Sequence, residues 1–167
     1  SSSLMHIYLI EAGPRLLAGM SEESSAHAEQ FLREMGVNIL LNKRVVDYRD
    51  HKVVLEDGTE IATRTFIWVS GVTGVTIGNL DASLIGRGGR IKVDSFNRVE
   101  GMNNVFAIGD QCIQLADENY PNGHPQLAQV AIQQGELLAK NLIRMEKGQE
   151  MKPFHYRNLG SMATVGR

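Results

Sequence analysis

Asn104-Val105-Phe106-Ala107-Ile108-Gly109-Asp110 is the stretch of this 167-residue chain whose residue types most directly suggest chemistry. Residues 105–108 form a continuous apolar run without polar alternation, as expected of a parallel strand covered on both faces in an α/β protein. Gly109 removes a Cβ, so a ligand can approach the backbone closely. At the carboxyl end of such a strand, Asp110 would face the crevice where parallel sheets bind ligands and would accept hydrogen bonds from a sugar-like chain of hydroxyls. A strand followed by an Asp-initiated turn fits the same residues, because Gly and Asp are ordinary turn chemistry.

Downstream, residues 124–135 open a long helix with glutamines near its start. Leu127, Val130, Ala131, Leu138 and Leu142 recur at three- and four-residue spacings, whereas Lys140, Arg144, Glu146 and Lys147 occupy the remainder. Pro125 suits the first helical turn, and Asn122-Gly123 before it marks a turn. Taken alone, the glutamines read as a solvated helix face.

These functional candidates must be positioned by the elements before them. Residues 5–11 form an apolar strand ending in Glu11, the position at which the second strand of a dinucleotide-binding unit presents a carboxylate to ribose hydroxyls and repels a 2′-phosphate. On that reading Glu11 favours NADH over NADPH; a strand-end acid in a turn is the alternative. Ser21-Glu22-Glu23-Ser24 has the character of a helix start, Ala28, Phe31, Leu32 and Met35 supply its stripe, and Gly36 stops it. Residues 37–41, 44–48 and 53–55 read as short strands, with Asp57-Gly58 as a hairpin turn before Glu60-Ile61. Residues 66–69 read as another buried strand. Residues 81–89 read as loop and 90–94 as a short strand. Gly71-Val72-Thr73-Gly74-Val75-Thr76-Ile77-Gly78 is glycine-rich, but its spacing is wrong for a phosphate loop and no amphipathic helix follows it, so it reads as a crossover between domains, with a phosphate cradle as the lesser alternative.

Composition excludes several classes. The formal charge of −2 and the absence of a basic block give no electrostatic reason to expect nucleic-acid binding. No apolar stretch approaches the roughly 20 residues of a membrane-spanning helix, and no secretory signal opens the chain. The single cysteine, Cys112, cannot form an internal disulfide or a C-x-x-C pair, and reads as a small buried side chain. His6, His27, His51, His124 and His155 lack metal-ligand spacing, so no metal site is assigned.

Three segments together resemble the type II (non-proton-pumping) NADH dehydrogenases, within the pyridine nucleotide-disulfide oxidoreductase-like flavoproteins. Residues 105–110 are similar to the family's second flavin motif, residues 128–135 to its A-Q-x-A-x-Q-x-G segment, and residues 159–167 to a further family segment. The resemblance implies an α/β, FAD/NAD(P)-binding Rossmann-like fold, present in part: residues 4–73 as a partial NADH-binding domain and 74–167 as a partial FAD-binding domain. It implies FAD contacts at Gly109, Asp110, Ala128 and Gln129, NADH contacts at Gly71 and Val72 beside Glu11, and a quinone bordered by Gln129 and Ile132. The helix starting near Pro125 would face the flavin, its positive dipole end stabilising negative charge on the reduced ring.

The implied activity is hydride transfer from NADH to FAD followed by electron transfer to a quinone, and the residues suggest no catalytic acid or base. No G-x-G-x-x-G occurs in the sequence, whereas the family carries two such phosphate loops. The chain therefore reads as an internal fragment, inactive in isolation. The parent is expected on the cytoplasmic face of the inner membrane as a peripheral protein, anchored by a region absent here. The fragment itself is expected to be soluble, and a homodimer stays open. The alternatives are another reductase of this architecture, such as a ferredoxin reductase or an NADH oxidase, and a non-enzymatic interaction module.

Overall fold

The computed structural model describes residues 5–75 and 77–166. Leu4 at the expected start of the first domain, Thr76 within the glycine-rich connection and Arg167 at the end of the final motif lie outside the described residues. The chain divides into two compact units, one drawn from residues 1–69 and 160–167 and the other from 70–159.

In the first unit, β1 (Ile7–Ile10) pairs in parallel with β2 (Val37–Leu40), Ile7 opposite Val37 and Ile10 opposite Leu40. The connection carries α1 (Glu22–Glu34), so the expected strand and helix are extended by β2 into a βαβ unit. Ser21 caps the helix, its side chain accepting from the Ser24 N–H, while Glu22 and Glu23 oppose the positive dipole end. Gly36 takes over after Met35 at φ +83°. The buried face keeps Ala28 of the expected stripe, with Leu32 half-buried, and adds Ser25. Ser25 and Ala28 point inward, with Ser25 Oγ donating to the Leu16 carbonyl at 2.6 Å, whereas Phe31 and Met35 are exposed. Two strands offer α1 only a narrow surface, and small residues bring it closest.

β3 (Val45–Arg49), β4 (Lys52–Leu55) and β5 (Glu60–Ala62) form an antiparallel sheet with a register shift between Val45 and Asp47. Val53 and Leu55 bury their side chains on one face. The Asp57-Gly58 turn forms as expected: Gly58 adopts φ +85° and the Thr59 N–H donates to Asp57 Oδ1. Residues 66–69, by contrast, form no strand. Trp68 is 60% exposed, with Ile67 and Val69 more so. A buried parallel strand needs neighbours on both edges and faces, and neither sheet of this unit supplies them; Phe66 instead stacks on Tyr48 with ring centroids 4.8 Å apart.

In the second unit, β6 (Ile91–Val93) pairs in parallel with β7 (Cys112–Gln114). Ile91, Val93, Val99, Ala107 and Cys112 form its core, flanked by Leu80, Leu84, Ile85 and Met102. Residues 105–108 do not make the expected parallel strand. They fold back on 97–99 through an antiparallel bridge between Arg98 and Phe106, with Val99 N–H donating to the Val105 carbonyl at 2.8 Å and Ala107 N–H to the Asn97 carbonyl at 3.0 Å. Their nearest neighbour in sequence satisfies the backbone first.

α2 (Ala128–Glu146) starts later than expected, leaving Pro125 in the preceding loop. That loop is held by the buried Arg90, whose guanidinium donates to the Cys112 carbonyl at 2.6 Å and the His124 carbonyl at 3.1 Å. After α2 the chain returns along the helix without regular structure. Asn141, fully buried, meets Lys152 both ways: its amide donates to the Lys152 carbonyl at 2.8 Å and its oxygen accepts the Lys152 N–H at 2.9 Å. Asn141→Ala should therefore cost about 1–3 kcal/mol, because two hydrogen bonds of about 0.5–1.5 kcal/mol each are lost at a fully buried side chain. Urea unfolding followed by circular dichroism measures it; a change under a few tenths of a kcal/mol would refute the role.

Candidate functional site

The site is built on the turn that joins the bridge arm to β7. Ile108 is extended, Gly109–Gln111 make one 3-10 turn, and β7 follows at once. Gly109 sits at φ +63°, and a Cβ there would lie 3.2 Å from the Ala131 Cβ on α2. Glycine takes that conformation without strain and lets the helix come so close. The Gly109 N–H donates to Gln134 Oε1 at 2.7 Å, and Gln134 is 1% exposed. The glutamine expected on a solvated face is thus the group that satisfies the turn's backbone.

Around this contact lies a buried polar cluster. Asn97 Nδ2 approaches the Ala107 carbonyl at 3.4 Å and Cys112 Sγ at 3.7 Å, and the thiol also faces Gln134 Oε1 and the Gly109 carbonyl. Burial pushes the Cys112 thiol up, against the opposing pull of Arg90 and of its amide neighbours. Cys112 is accordingly as buried as the sequence suggests, but its surroundings are polar as well as apolar.

Asp110 projects from the turn and is exposed, and its carboxylate takes no hydrogen bond among the described residues; its backbone carbonyl accepts from Gln126 Nε2 at 3.2 Å. The amino end of α2 lies beside this turn. Its cap residue, Leu127, is extended and supplies no side-chain acceptor, so no side chain of the cap neutralises the dipole end. Ala128 and Ile132 are exposed. Gln129 is half-buried, and its Oε1 accepts the Leu159 N–H at 3.0 Å. One turn on, Gln133 pairs both ways with Arg157, donating to its carbonyl at 2.9 Å and accepting its N–H at 3.0 Å.

Gly109, Asp110, Ala128, Gln129 and Ile132 therefore share one unit, with the turn packed on the first turns of α2. Gly71 and Val72 belong to the same unit, both exposed, Gly71 at φ +100°. Glu11 belongs to the first unit, where its carboxylate accepts the Gly13 N–H at 2.7 Å. Sequence reasoning missed Gln134 and Asn97 as positioning groups. The only signal was an amide at each position, and amides occur as readily on solvated surfaces.

Behind the loop before α2, His124 is buried among Tyr120, Phe154 and Tyr156 and its Nε2 lies 3.0 Å from Asp117 Oδ2. That hydrogen bond chiefly, with help from the Asn119 N–H and against burial, holds the Asp117 carboxyl below the usual carboxylate range. Among the described residues no group of three metal-ligating side chains gathers, and no helix is long and apolar enough to cross a membrane.

Residues 2–135 match the family described as pyridine nucleotide-disulphide oxidoreductase. A type II NADH:quinone oxidoreductase of Haemophilus influenzae (strain ATCC 51907 / DSM 11121 / KW20 / Rd) is 31% identical over 165 residues, which are 98% of this chain and 37% of that protein. The chain thus spans little more than a third of that relative. Among solved structures, NDH2 from Plasmodium falciparum in complex with NADH superposes at a TM-score of 0.83 with 18% identity, over 98% of this chain and 49% of that one. A ferredoxin reductase from Rhodopseudomonas palustris gives 0.71 with 19% identity, over 92% and 38%. The likenesses establish the expected partial FAD/NAD(P)-binding α/β fold, and the resemblance to type II NADH dehydrogenases is borne out in the relatives found.

Two outcomes follow from this geometry. A thiol-reactive aromatic disulfide should leave Cys112 unmodified in the native chain and titrate one thiol in urea; rapid native reaction would contradict its burial. For Asp117, whose folded carboxyl titrates lower than the unfolded one, the stabilisation is present above about pH 4. It is lost as pH falls through the folded value. Asp117→Asn should therefore flatten the acid limb of a stability-against-pH curve, and an unchanged limb would refute the assignment.

Proposed function

Because the chain belongs to the pyridine nucleotide-disulphide oxidoreductase family, we propose that it supplies part of the FAD, NADH and quinone sites of a type II NADH:quinone oxidoreductase. The observation that carries this reading is the Gly109–Asp110 turn, fastened to α2 by Gln134 with the Asp110 carboxylate left open to a ligand. The residues fit a flavin's polyhydroxyl side. A missing Cβ permits close approach, an exposed carboxylate is available to accept from hydroxyls, and a helix amino end lies beside it. When bound, the flavin would accept a hydride from NADH and pass two electrons to a quinone.

The remaining work is positioning. Asp110 would anchor the ribitol hydroxyls, with Gly109 and Ala128 as further flavin contacts. Gln129, whose oxygen already holds the Leu159 N–H, orients neighbouring groups by hydrogen bonding, since an amide does not titrate in water. With Ile132, which is exposed, it borders the quinone. Gly71 and Val72 border the nicotinamide by backbone approach. In these terms residues 4–73 contribute to an NADH-binding domain and 74–167 to an FAD-binding one.

Glu11 selects NADH. Its carboxylate is oriented by the Gly13 N–H, and the neighbouring Arg15 guanidinium is committed to the carbonyls of Ala18 at 2.7 Å and Met20 at 3.0 Å. A 2′-phosphate would thus meet a carboxylate and find that arginine occupied. Exposed apolar side chains at Ile132, Leu142 and Ile143 on α2, with Leu159 after it, suit peripheral contact with a membrane and access for an apolar quinone. A ferredoxin reductase is the second reading, favoured by the fold likeness to the Rhodopseudomonas palustris protein.

Flavin adenine dinucleotide titrated into the chain, followed by quenching of flavin fluorescence, tests the cofactor reading. Asp110→Ala should weaken binding about 10- to 100-fold, the value of hydrogen bonds to a charged acceptor. Equal affinity of the variant and the wild type, or no uptake by either, would overturn the role of Asp110. Steady-state assays on the protein that contains this chain, with a quinone against ferredoxin as acceptor, separate the two readings.

A further inference from the structure

We infer that Gln111 is a positioning residue that ties the Gly71–Val75 segment to the Gly109–Asp110 turn; functionally this rests on the reading above, in which the two border nicotinamide and ribitol. Gln111 closes the 3-10 turn that begins at Gly109. Its side-chain amide pairs with the backbone of Val75 as a neighbouring strand would, Oε1 accepting the Val75 N–H at 2.9 Å and Nε2 donating to the Val75 carbonyl at 2.7 Å.

On its other side the segment is fixed by glycines. Gly74 N–H donates to the Gly88 carbonyl at 2.8 Å, and a Cβ on Gly74 would fall 2.3 Å from the Gly89 carbonyl oxygen. Two backbones therefore touch where any side chain would push them apart.

Burial does little to hold this segment. Val75 is 72% exposed, and Val72 and Ile77 are exposed as well. Its place is set by three hydrogen bonds and one glycine contact, and two of those bonds belong to Gln111. Gly71, four residues upstream at φ +100°, is the bend from which the held stretch departs. All of these residues lie in the second unit. A single amide thus sets the spacing between two backbone stretches far apart in sequence, and a one-residue change at 111 would alter that spacing without touching Asp110.

Amide hydrogen exchange and resonance shifts in the 167-residue chain test this, with Gln111→Leu and Gln111→Glu. Leucine removes both bonds. Glutamate keeps the acceptor for the Val75 N–H and replaces the donor, so it should retain part of the protection. In the wild type the Val75 amide is expected to be protected. In Gln111→Leu it should exchange about tenfold faster, the value of one net hydrogen bond, while the amides of β6 and β7 keep their protection. Equal Val75 exchange in all three chains would overturn the inference. So would loss of protection throughout the unit, which marks a general packing role.

The second arm adds flavin adenine dinucleotide and follows Gly71, Val72 and Asp110. Joint shifts of all three in the wild type, with Asp110 shifting alone in Gln111→Leu, are expected. Wild-type shifts confined to Asp110, or shifts of all three in the variant, would contradict the coupling. If Asp110 itself does not respond, the flavin reading fails, and the exchange arm, which needs no ligand, decides the role of Gln111 by itself.

Discussion

A side-chain amide can do for a backbone peptide what another strand would do, offering one donor and one acceptor at peptide spacing. The second unit depends on that substitution. Gln134 satisfies the Gly109 N–H, Gln133 pairs both ways with Arg157, Gln129 accepts from Leu159, Asn141 pairs both ways with Lys152, and Gln111 does the same for Val75. With one two-stranded sheet of named strands in this unit among the described residues, irregular backbone must find its partners elsewhere, and a peptide group buried without one costs about 1–3 kcal/mol. Amides placed along α2 meet that requirement and allow both the turn and the returning arm to pack on one helix.

This arrangement also explains why the site is shaped as it is. α2 approaches Gly109 so closely that a Cβ there would press on the Ala131 Cβ at 3.2 Å, and Gln134 reaches past that contact to the Gly109 N–H. The turn is thereby oriented with Asp110 outward. Burial of Gln134, Asn97 and Cys112 in one cluster makes the orientation costly to change, because a buried polar network is stable only when each member keeps its partners. The buried Arg90 works similarly on the far side, joining the Cys112 and His124 carbonyls and fixing the loop that leads into α2.

Much of the first unit was legible in the sequence because local chemistry specifies it. Ser21 with its following glutamates starts α1, Gly36 ends it, and Asp57-Gly58 turns β4 into β5. The elements that departed from expectation are those whose structure depends on neighbours. Residues 66–69 and 105–108 have the composition of buried parallel strands, yet their partners in the chain are an aromatic ring in one case and an adjacent antiparallel arm in the other. The turn at Gly109 and Asp110 was legible from residue types, which fit a ligand site and an ordinary turn equally. Gln134 and Gln111 were not, because a glutamine that replaces a peptide group and one that faces water look alike until the backbone it serves has been placed.

Amide hydrogen exchange at Gly109, Lys152 and Arg157 in the unaltered chain tests the central claim most directly, since each N–H donates to a side-chain amide of α2 and to no strand. The account predicts protection at all three comparable with that of β6 and β7, well above the exchange of fraying segments. Exchange at the rate of an unstructured peptide at Gly109 and Arg157, while β6 and β7 stay protected, would contradict it.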